Sequence, residues 1–143
     1  MNYYNEIKNI LVDNAIGRKV REYKSNQKDL ESYYNVGKLL VEAQGGEERA
    51  KYGNGLIKEY SKRLTSELGK GYSVRSLTDM RTFYSFCQKR QSLIAEFKFR
   101  NISWTCITKL LKLDDINAIF YYVKCIGEMN LTTRELDSKL KLK

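Results

Sequence analysis

The residue types that most often carry enzyme chemistry are scarce in this sequence. The 143 residues include no histidine, which excludes Ser-His and Cys-His catalytic arrangements. Glu96-Phe97-Lys98 fits an ExK element, but metal-dependent cleavage needs a second carboxylate beside that pair to bind Mg²⁺. The nearest upstream acidic residue, Asp79, falls in a predicted helix, so we interpret the triplet as a strand or loop. We predict that the protein is not an enzyme.

The cysteines and the paired aspartates do not indicate a metal site or a cofactor site. Cys87, Cys106 and Cys125 are odd in number and widely spaced, which fits neither disulfide pairs nor zinc-ligand pairs. Each lies among apolar residues, so we predict small buried side chains in a reducing compartment. Asp114-Asp115 precedes a predicted helix, and Asp114 is interpreted as its N-cap. We predict no catalytic residue, no metal and no cofactor.

Positive charge is concentrated in the middle of the sequence. Residues 1–50 carry eight Lys/Arg and eight Asp/Glu, residues 51–100 carry eleven and four, and residues 101–143 carry seven and five. Most of the net charge of +9 therefore lies in the middle segment. A basic region of this kind is typical of a protein that binds a polyanion such as DNA or RNA, although many basic domains bind none.

The chain shows no signal for secretion or for membrane insertion. Its N-terminus lacks the basic segment and apolar run of a signal peptide. The most apolar stretch, IFYYVKCI (119–126), is much shorter than the roughly 20 residues that a membrane span needs. We predict a cytoplasmic protein that does not contact the membrane.

Apolar residues recur at helical spacing along the whole chain, and proline is absent. This pattern predicts one all-α domain over residues 1–143, a multi-helix bundle. Its three parts are N-terminal helices within 1–44, a helix pair within 54–87 and C-terminal helices within 103–140. The predicted helices are 3–23, a second that Ser25 or Asn26 caps and Gly45-Gly46 ends, which could be continuous with the first, and then 55–68, 74–87, 104–111, 115–129 and 133–140. The alternation of apolar and polar residues near 94–100 also allows a short β wing.

Capping signals and apolar stripes support these helices. The predicted caps are Asn54, Gly69, Ser73, Ser103, Asp114 and the box Thr132–Glu135. The predicted buried stripes of the central pair are Leu56, Ile57, Tyr60, Leu64 and Leu68, then Val74, Leu77, Met80, Tyr84 and Cys87. Six tyrosines are predicted to pack in the core: Tyr33, Tyr34, Tyr60, Tyr84, Tyr121 and Tyr122.

The two central helices have the sequence outline of a helix-turn-helix, because a short glycine-containing turn joins them. In this motif the second helix lies in the major groove, and its N-terminal residues contact base edges. We therefore predict a helix-turn-helix over residues 54–87. Two amphipathic helices joined in this way also occur in bundles that bind no nucleic acid.

The predicted nucleic-acid contacts fall into two groups. The solvent face of the second helix offers side chains that hydrogen-bond base edges: Arg75, Ser76, Thr78, Asp79 and Thr82. Cations around the motif and the cap of the second helix are predicted to contact phosphates: Lys58, Lys62, Arg63, Lys70, Ser73, Lys89 and Arg90. Tyr72, like Tyr52, lies beside a glycine in the basic region and is predicted to be a further contact.

A longer pattern runs through the central pair: YGxGLIKExSxxLxxExGKGxSxRxLxxMRxFY, which begins at residue 52. Together with YYNVGKLLVEAQ (33–44), ISWTCITKLLKLDD (102–115) and LTTREL (131–136), it resembles the N-terminal domain of the YhcG-like bacterial proteins. In that family a predicted helix-turn-helix precedes a nuclease domain of the PD-(D/E)XK type. The resemblance implies DNA association in a bacterial or mobile-element setting. The chain ends at Lys143 without that nuclease domain, so the resemblance implies a stand-alone or truncated version.

Three functional hypotheses follow from the sequence. The first and main one is a non-catalytic DNA-binding module, either a monomer or a homodimer. The second is a protein-interaction module that binds and modulates a nuclease or a phage-defence complex, for example an inhibitor encoded by a mobile element. The third is a subunit that completes a separately encoded nuclease.

Overall fold

The computed structural model describes residues 2–20, 25–46, 55–90, 102–113, 115–129 and 133–141. Within these ranges the chain forms seven α-helices and no strand: α1 (Tyr3–Val20), α2 (Ser25–Ala43), α3 (Gly55–Leu68), α4 (Val74–Lys89), α5 (Trp104–Leu110), α6 (Ile116–Met129) and α7 (Thr133–Lys141). The prediction of an all-α fold is confirmed for this part of the chain. The predicted wing near 94–100 and the predicted caps Asn54 and Thr132 lie outside the described residues.

Two serine caps lie where the sequence predicts them. The Ser73 hydroxyl oxygen accepts a hydrogen bond from the backbone N–H of Ser76 at 3.1 Å. In the same way the Ser103 hydroxyl oxygen accepts from the N–H of Cys106 at 3.3 Å. Each bond satisfies one of the N–H groups that a helix N-terminus leaves without a partner. The starts of α4 and α5 are therefore set by local chemistry.

The cap of α6 differs from the prediction by one residue. The Asp115 carboxylate accepts from the N–H of Asn117 at 2.9 Å, and its backbone carbonyl accepts from the N–H of Ile119 at 3.1 Å. Asp115 is therefore the N-cap, and the prediction of Asp114 was wrong. The two adjacent aspartates have the same capping chemistry, so composition alone cannot choose between them.

Helix α4 lies between two apolar clusters and belongs to both. Leu77 and Met80 pack in the N-terminal cluster, formed by α1, α2, α3 and α4: Tyr4, Ile7, Leu11, Val36, Leu40, Ile57, Tyr60, Leu64, Leu77 and Met80. Phe83 and Cys87 pack in the C-terminal cluster, formed by α2, α4, α5, α6 and α7: Leu30, Phe83, Cys87, Ile102, Cys106, Ile107, Leu110, Leu111, Ile119, Tyr122, Val123, Ile126 and Leu136. The second helix of the predicted motif is thus the central helix of the described fold.

The buried stripe of α4 is shifted from the predicted one. Phe83, which the prediction left out, is fully buried, whereas Val74 and Tyr84 are half-buried. Because α4 packs against two clusters, most of its other positions are half-buried instead of exposed. Among the six tyrosines predicted to pack in the core, Tyr121 on α6 is the exposed one, at 55%.

Two features hold the N-terminal helices against the rest of the fold. A buried polar network joins α1 to α2, because Asn14 donates a hydrogen bond to Asp29 at 3.0 Å and accepts one from Ser32 at 3.1 Å. Among the described helices, α2 and α4 make the most extensive contact. At its centre Gly37 is buried against the backbone of Met80.

No described helix is both long enough and apolar enough to span a membrane.

Candidate nucleic-acid interface

The turn between α3 and α4 depends on two glycines. Gly69 and Gly71 have φ angles of 98° and 111°, which lie in the left-handed region that side chains with a Cβ disfavour. Gly69 ends α3 as predicted, with its N–H donating to the carbonyl of Thr65 at 3.0 Å. The turn reverses the chain within a few residues, so that Ser73 can cap α4 directly after it.

The 69–73 turn and the first turn of α4 present exposed cations beside the positive end of the helix dipole. Lys70, Ser73 and Arg75 are exposed, and Ser76 is half-buried. Neither Lys70 nor Arg75 forms an ion pair within the described part of the chain. Backbone N–H groups at a helix N-terminus favour an anion such as a phosphate. An incoming phosphate would therefore not have to displace a carboxylate from either cation.

The remainder of the predicted reading face is less open than the sequence suggests. Of the five predicted base contacts only Arg75 is exposed. The other four are half-buried: Ser76, Thr78, Asp79 and Thr82. Burial raises the pKa of the Asp79 carboxyl, while the positive charges of Arg75 and Lys112 pull that pKa down. The exposed residues of α4 are thus concentrated at its two ends, with Arg75 in the first turn and Gln88 and Lys89 in the last.

The predicted phosphate contacts flank this surface at two places. Lys58 and Lys62 are exposed four residues apart on α3, and therefore lie on the same side of that helix. Lys89 and Arg90 are exposed at the end of α4. They line a groove of about 370 Å³ together with Phe86 and Ile116. Within the described ranges, none of these four cations forms an ion pair.

Arg63 has a structural contact that the sequence did not reveal. Its guanidinium carbon lies 3.6 Å from the centroid of the Tyr4 ring on α1. The Tyr4 hydroxyl donates to the Glu67 carboxylate at 2.7 Å, and Lys8 forms an ion pair with the same carboxylate at 2.6 Å. The Lys8 ammonium and the Tyr4 hydroxyl hold the pKa of Glu67 below its usual range. Arg63 thus takes part in the α1–α3 contact, and using it for a phosphate would compete with that role.

This contact predicts a loss of stability at alkaline pH. Burial of the Tyr4 ring, followed by the hydrogen bond and charge of Glu67, raises the pKa of Tyr4 from 10.0 to about 12. The neutral phenol is therefore favoured in the folded state, and the stability it contributes is present below pH 10 and lost as the pH rises toward 12. We expect chemical denaturation to show a smaller stability loss over this interval in Tyr4→Phe. Equal losses in the two proteins would contradict the assignment.

Tyr72 contributes to the packing of the turn. It is half-buried against the N-terminal cluster. With Lys70 and Gly71 it lines a cavity of about 200 Å³, whose opposite wall includes Leu11 and Tyr33. The turn therefore rests on α1 and α2, and the Tyr72 ring is not an open stacking platform. The second tyrosine of this prediction, residue 52, lies outside the described residues.

The cysteine, aspartate and glutamate side chains do not form a cluster in the described part of the chain. No group of three or more Cys, Asp or Glu is placed to hold a metal ion within those ranges. Cys87 and Cys106 are buried, as predicted, whereas Cys125 is half-buried. Burial raises the pKa of the Cys87 thiol to about 12, so this side chain stays protonated. The ExK triplet at 96–98 lies outside the described residues.

Comparison with known proteins shows which protein family the sequence matches. Residues 7–143 match the DUF1016 N-terminal domain family. Over 79 residues the chain is 43% identical to the Escherichia coli (strain K12) protein named "Putative nuclease YhcG", and the match covers 54% of this chain and 20% of that protein. The chain thus corresponds to about a fifth of the relative's length. No solved structure matches the chain.

Proposed function

The chain belongs to the DUF1016 N-terminal domain family, and we propose that it binds duplex DNA, without catalysis of its own, through α3, the 69–73 turn and α4. These elements would act as a helix-turn-helix. The observation that carries the proposal is the pair of exposed cations at the start of α4: Lys70 in the preceding turn and Arg75 in the first helical turn form no ion pair in the described structure. The similarity to a protein named as a nuclease supports a nucleic-acid ligand.

The roles of the individual residues follow from their exposure. Arg75 can reach the O6 and N7 acceptors of guanine with two parallel hydrogen bonds, which is the commonest specific contact in the major groove. Lys70 and the helix N-terminus at Ser73 suit a phosphate next to that base. Lys58 and Lys62 on α3 would contact the backbone on the other side of the turn. Affinity would then come mainly from phosphates, and sequence preference mainly from Arg75.

A salt titration tests this proposal. We expect a fluorescently labelled duplex of about 20 base pairs to bind at micromolar protein in about 50 mM salt, with an affinity that falls steeply as salt increases. Each phosphate contact adds about −0.9 to the slope of log affinity against log salt. Absence of binding to any duplex under these conditions, measured by fluorescence anisotropy, would refute the proposed function.

The position of Asp79 predicts a variant that binds more tightly. Its half-buried carboxylate follows Arg75 by one helical turn and interacts with the charge of that arginine, and its negative charge would repel a phosphate bound there. We expect Asp79→Asn to strengthen duplex binding about threefold, corresponding to roughly 0.6 kcal/mol. Asp13→Asn, which removes an exposed carboxylate from α1, is the control for net charge. Equal effects of the two substitutions in an anisotropy titration would contradict this role of Asp79.

A second candidate function, binding to a nuclease or a defence-complex protein, has one observation in its favour. Tyr121 is 55% exposed on α6 and stacks edge-on against Tyr122 with ring centroids 5.2 Å apart. Exposed tyrosines are enriched at protein interfaces. If this candidate is right, a family nuclease domain will bind the wild-type chain in nuclease-treated solution and will bind Tyr121→Ser less tightly. Equal binding, or none, would refute it.

A further inference from the structure

We infer that the cavity between the 69–73 turn and the N-terminal helices binds the adenine ring of a free nucleotide, with the phosphate outside at Lys70. The cavity has a volume of about 200 Å³, and side chains of α1, α2 and the turn line it: Leu11, Asn14, Ala15, Tyr33, Lys70 and Tyr72. This ligand is separate from the duplex of the proposed function, and its binding does not depend on DNA binding.

The buried end of the cavity has hydrogen-bonding capacity that the fold does not use. Asn14, which lines it, is 3% exposed. Its amide nitrogen donates to the Asp29 carboxylate at 3.0 Å, and its amide oxygen accepts from the Ser32 hydroxyl at 3.1 Å. A primary amide has two N–H donors and an oxygen with two lone pairs. One donor and one acceptor of Asn14 therefore have no partner in the described part of the chain, which is costly at a buried site.

The two ends of the cavity differ in charge. Beside the inner end lies the buried carboxylate of Asp29, which is hydrogen-bonded to Asn14 and would repel an anion there. At the outer end Lys70 is exposed and forms no ion pair with a described residue. A ligand that suits both ends has a neutral polar ring inside and an anionic group outside. A nucleotide has this distribution of charge.

The size and the lining of the cavity suit a flat heterocycle. Tyr33 and Tyr72 are half-buried and contribute aromatic rings, and Leu11, at 2% exposed, contributes an apolar wall. An apolar cavity of about 150 Å³ holds benzene, so the larger volume here leaves room for a larger ring. Adenine presents an acceptor, N7, beside the donor N6, and an asparagine amide matches this pair with two hydrogen bonds. Guanine presents two acceptors at the same edge, so the free acceptor of Asn14 would face an oxygen.

A titration of the isotope-labelled chain with adenosine monophosphate, without DNA, tests this inference. We expect saturable NMR shifts at residues 11–15 and 70–72 and at the side-chain amide of Asn14. Guanosine monophosphate should bind about tenfold more weakly, the lower limit for the loss of one paired base contact. Adenosine, which lacks the phosphate, should bind about threefold more weakly, as for one lost ion pair at an exposed site.

Two variants test the two ends of the site separately. Ala15→Leu places a larger side chain at the cavity and leaves the buried polar network intact, so it should abolish the saturable shifts. Its control is Asn9→Leu, which adds the same side chain at an exposed position of α1 outside the cavity lining. Lys70→Gln should weaken adenosine monophosphate binding about threefold and leave adenosine binding unchanged. The charge control Lys124→Gln, on α6, should change neither.

The outcomes separate this inference from the proposed function. Absence of a saturable shift up to about 10 mM nucleotide, tenfold above a Kd of about 1 mM, would show that the inference is wrong. The same conclusion follows if ribose 5-phosphate reproduces every shift, because the base is then not bound. Equal affinities for the adenine and guanine nucleotides would overturn the role of Asn14, and unchanged binding in Ala15→Leu would place the ligand elsewhere. A chain that binds duplex DNA but no nucleotide leaves the helix-turn-helix proposal standing, and the reverse result leaves this inference standing.

Discussion

Replacement of Gly37 by alanine is expected to destabilise the fold by about 3 kcal/mol, the upper part of the range for overpacked cores. A Cβ at Gly37 would overlap the carbonyl oxygen of Met80 on α4 and would lie 2.8 Å from the Cβ of Tyr84. Both are atoms at or next to the backbone, which cannot move aside as the end of a flexible side chain can. The two helices would have to separate, although the alanine by itself would favour the helix by about 1 kcal/mol.

The control for this prediction is the same substitution at a glycine with free space. Gly55 is the first residue of α3, and a Cβ built there meets no atom within 4 Å. Gly55→Ala should therefore be neutral or slightly stabilising. In thermal unfolding followed by circular dichroism, we expect Gly37→Ala to lower Tm by roughly 10 °C for a domain of this size. Similar Tm values for the two variants would contradict the close α2–α4 packing.

The double substitution Lys70→Ala and Arg75→Ala is expected to lower duplex affinity between tenfold and a hundredfold. A base contact by arginine contributes about 1–3 kcal/mol, and a lost phosphate contact should also reduce the salt slope by about 0.9. Neither side chain is buried or paired in the described structure, so we expect no change in thermal stability. The effect should therefore be confined to binding.

A control variant with the same charge loss distinguishes specific contacts from net charge. Lys38 on α2 and Lys124 on α6 are exposed and lie outside the helix-turn-helix. Their joint replacement by alanine removes two positive charges, as the Lys70/Arg75 variant does. We expect this control to weaken binding less than threefold, in keeping with weak long-range interactions between exposed charges. If both double variants lose affinity equally, the contact is not at the first turn of α4.

Helix bounds and caps were predictable because their causes are local. Ser73 and Ser103 cap helices by hydrogen bonds to residues three positions ahead, and Gly69 ends α3 through its own φ angle. Such signals can be identified in a short stretch of sequence. A local signal could not distinguish Asp114 from Asp115 as the cap of α6, because both neighbouring residues are aspartates.

The features that could not be predicted from the sequence are contacts between residues far apart in the chain. The contact of Arg63 with the ring of Tyr4, which lies in another helix, has no local signal in the sequence, and its phosphate contact stays a prediction. Asp79 was expected on an open face, but it is half-buried. Periodicity identifies which side of a helix is apolar, and it does not show which helices cover the polar side.

The central claim is that the first turn of α4 carries the DNA contact, and NMR mapping tests it most directly. Amide chemical shifts of the isotope-labelled chain would be followed as a short duplex is added at low salt. We expect the largest changes at residues 69–76, while α7 and the outer side of α1 stay unchanged. Shifts confined to α1 or α7, or an unchanged spectrum at saturating duplex, would contradict it.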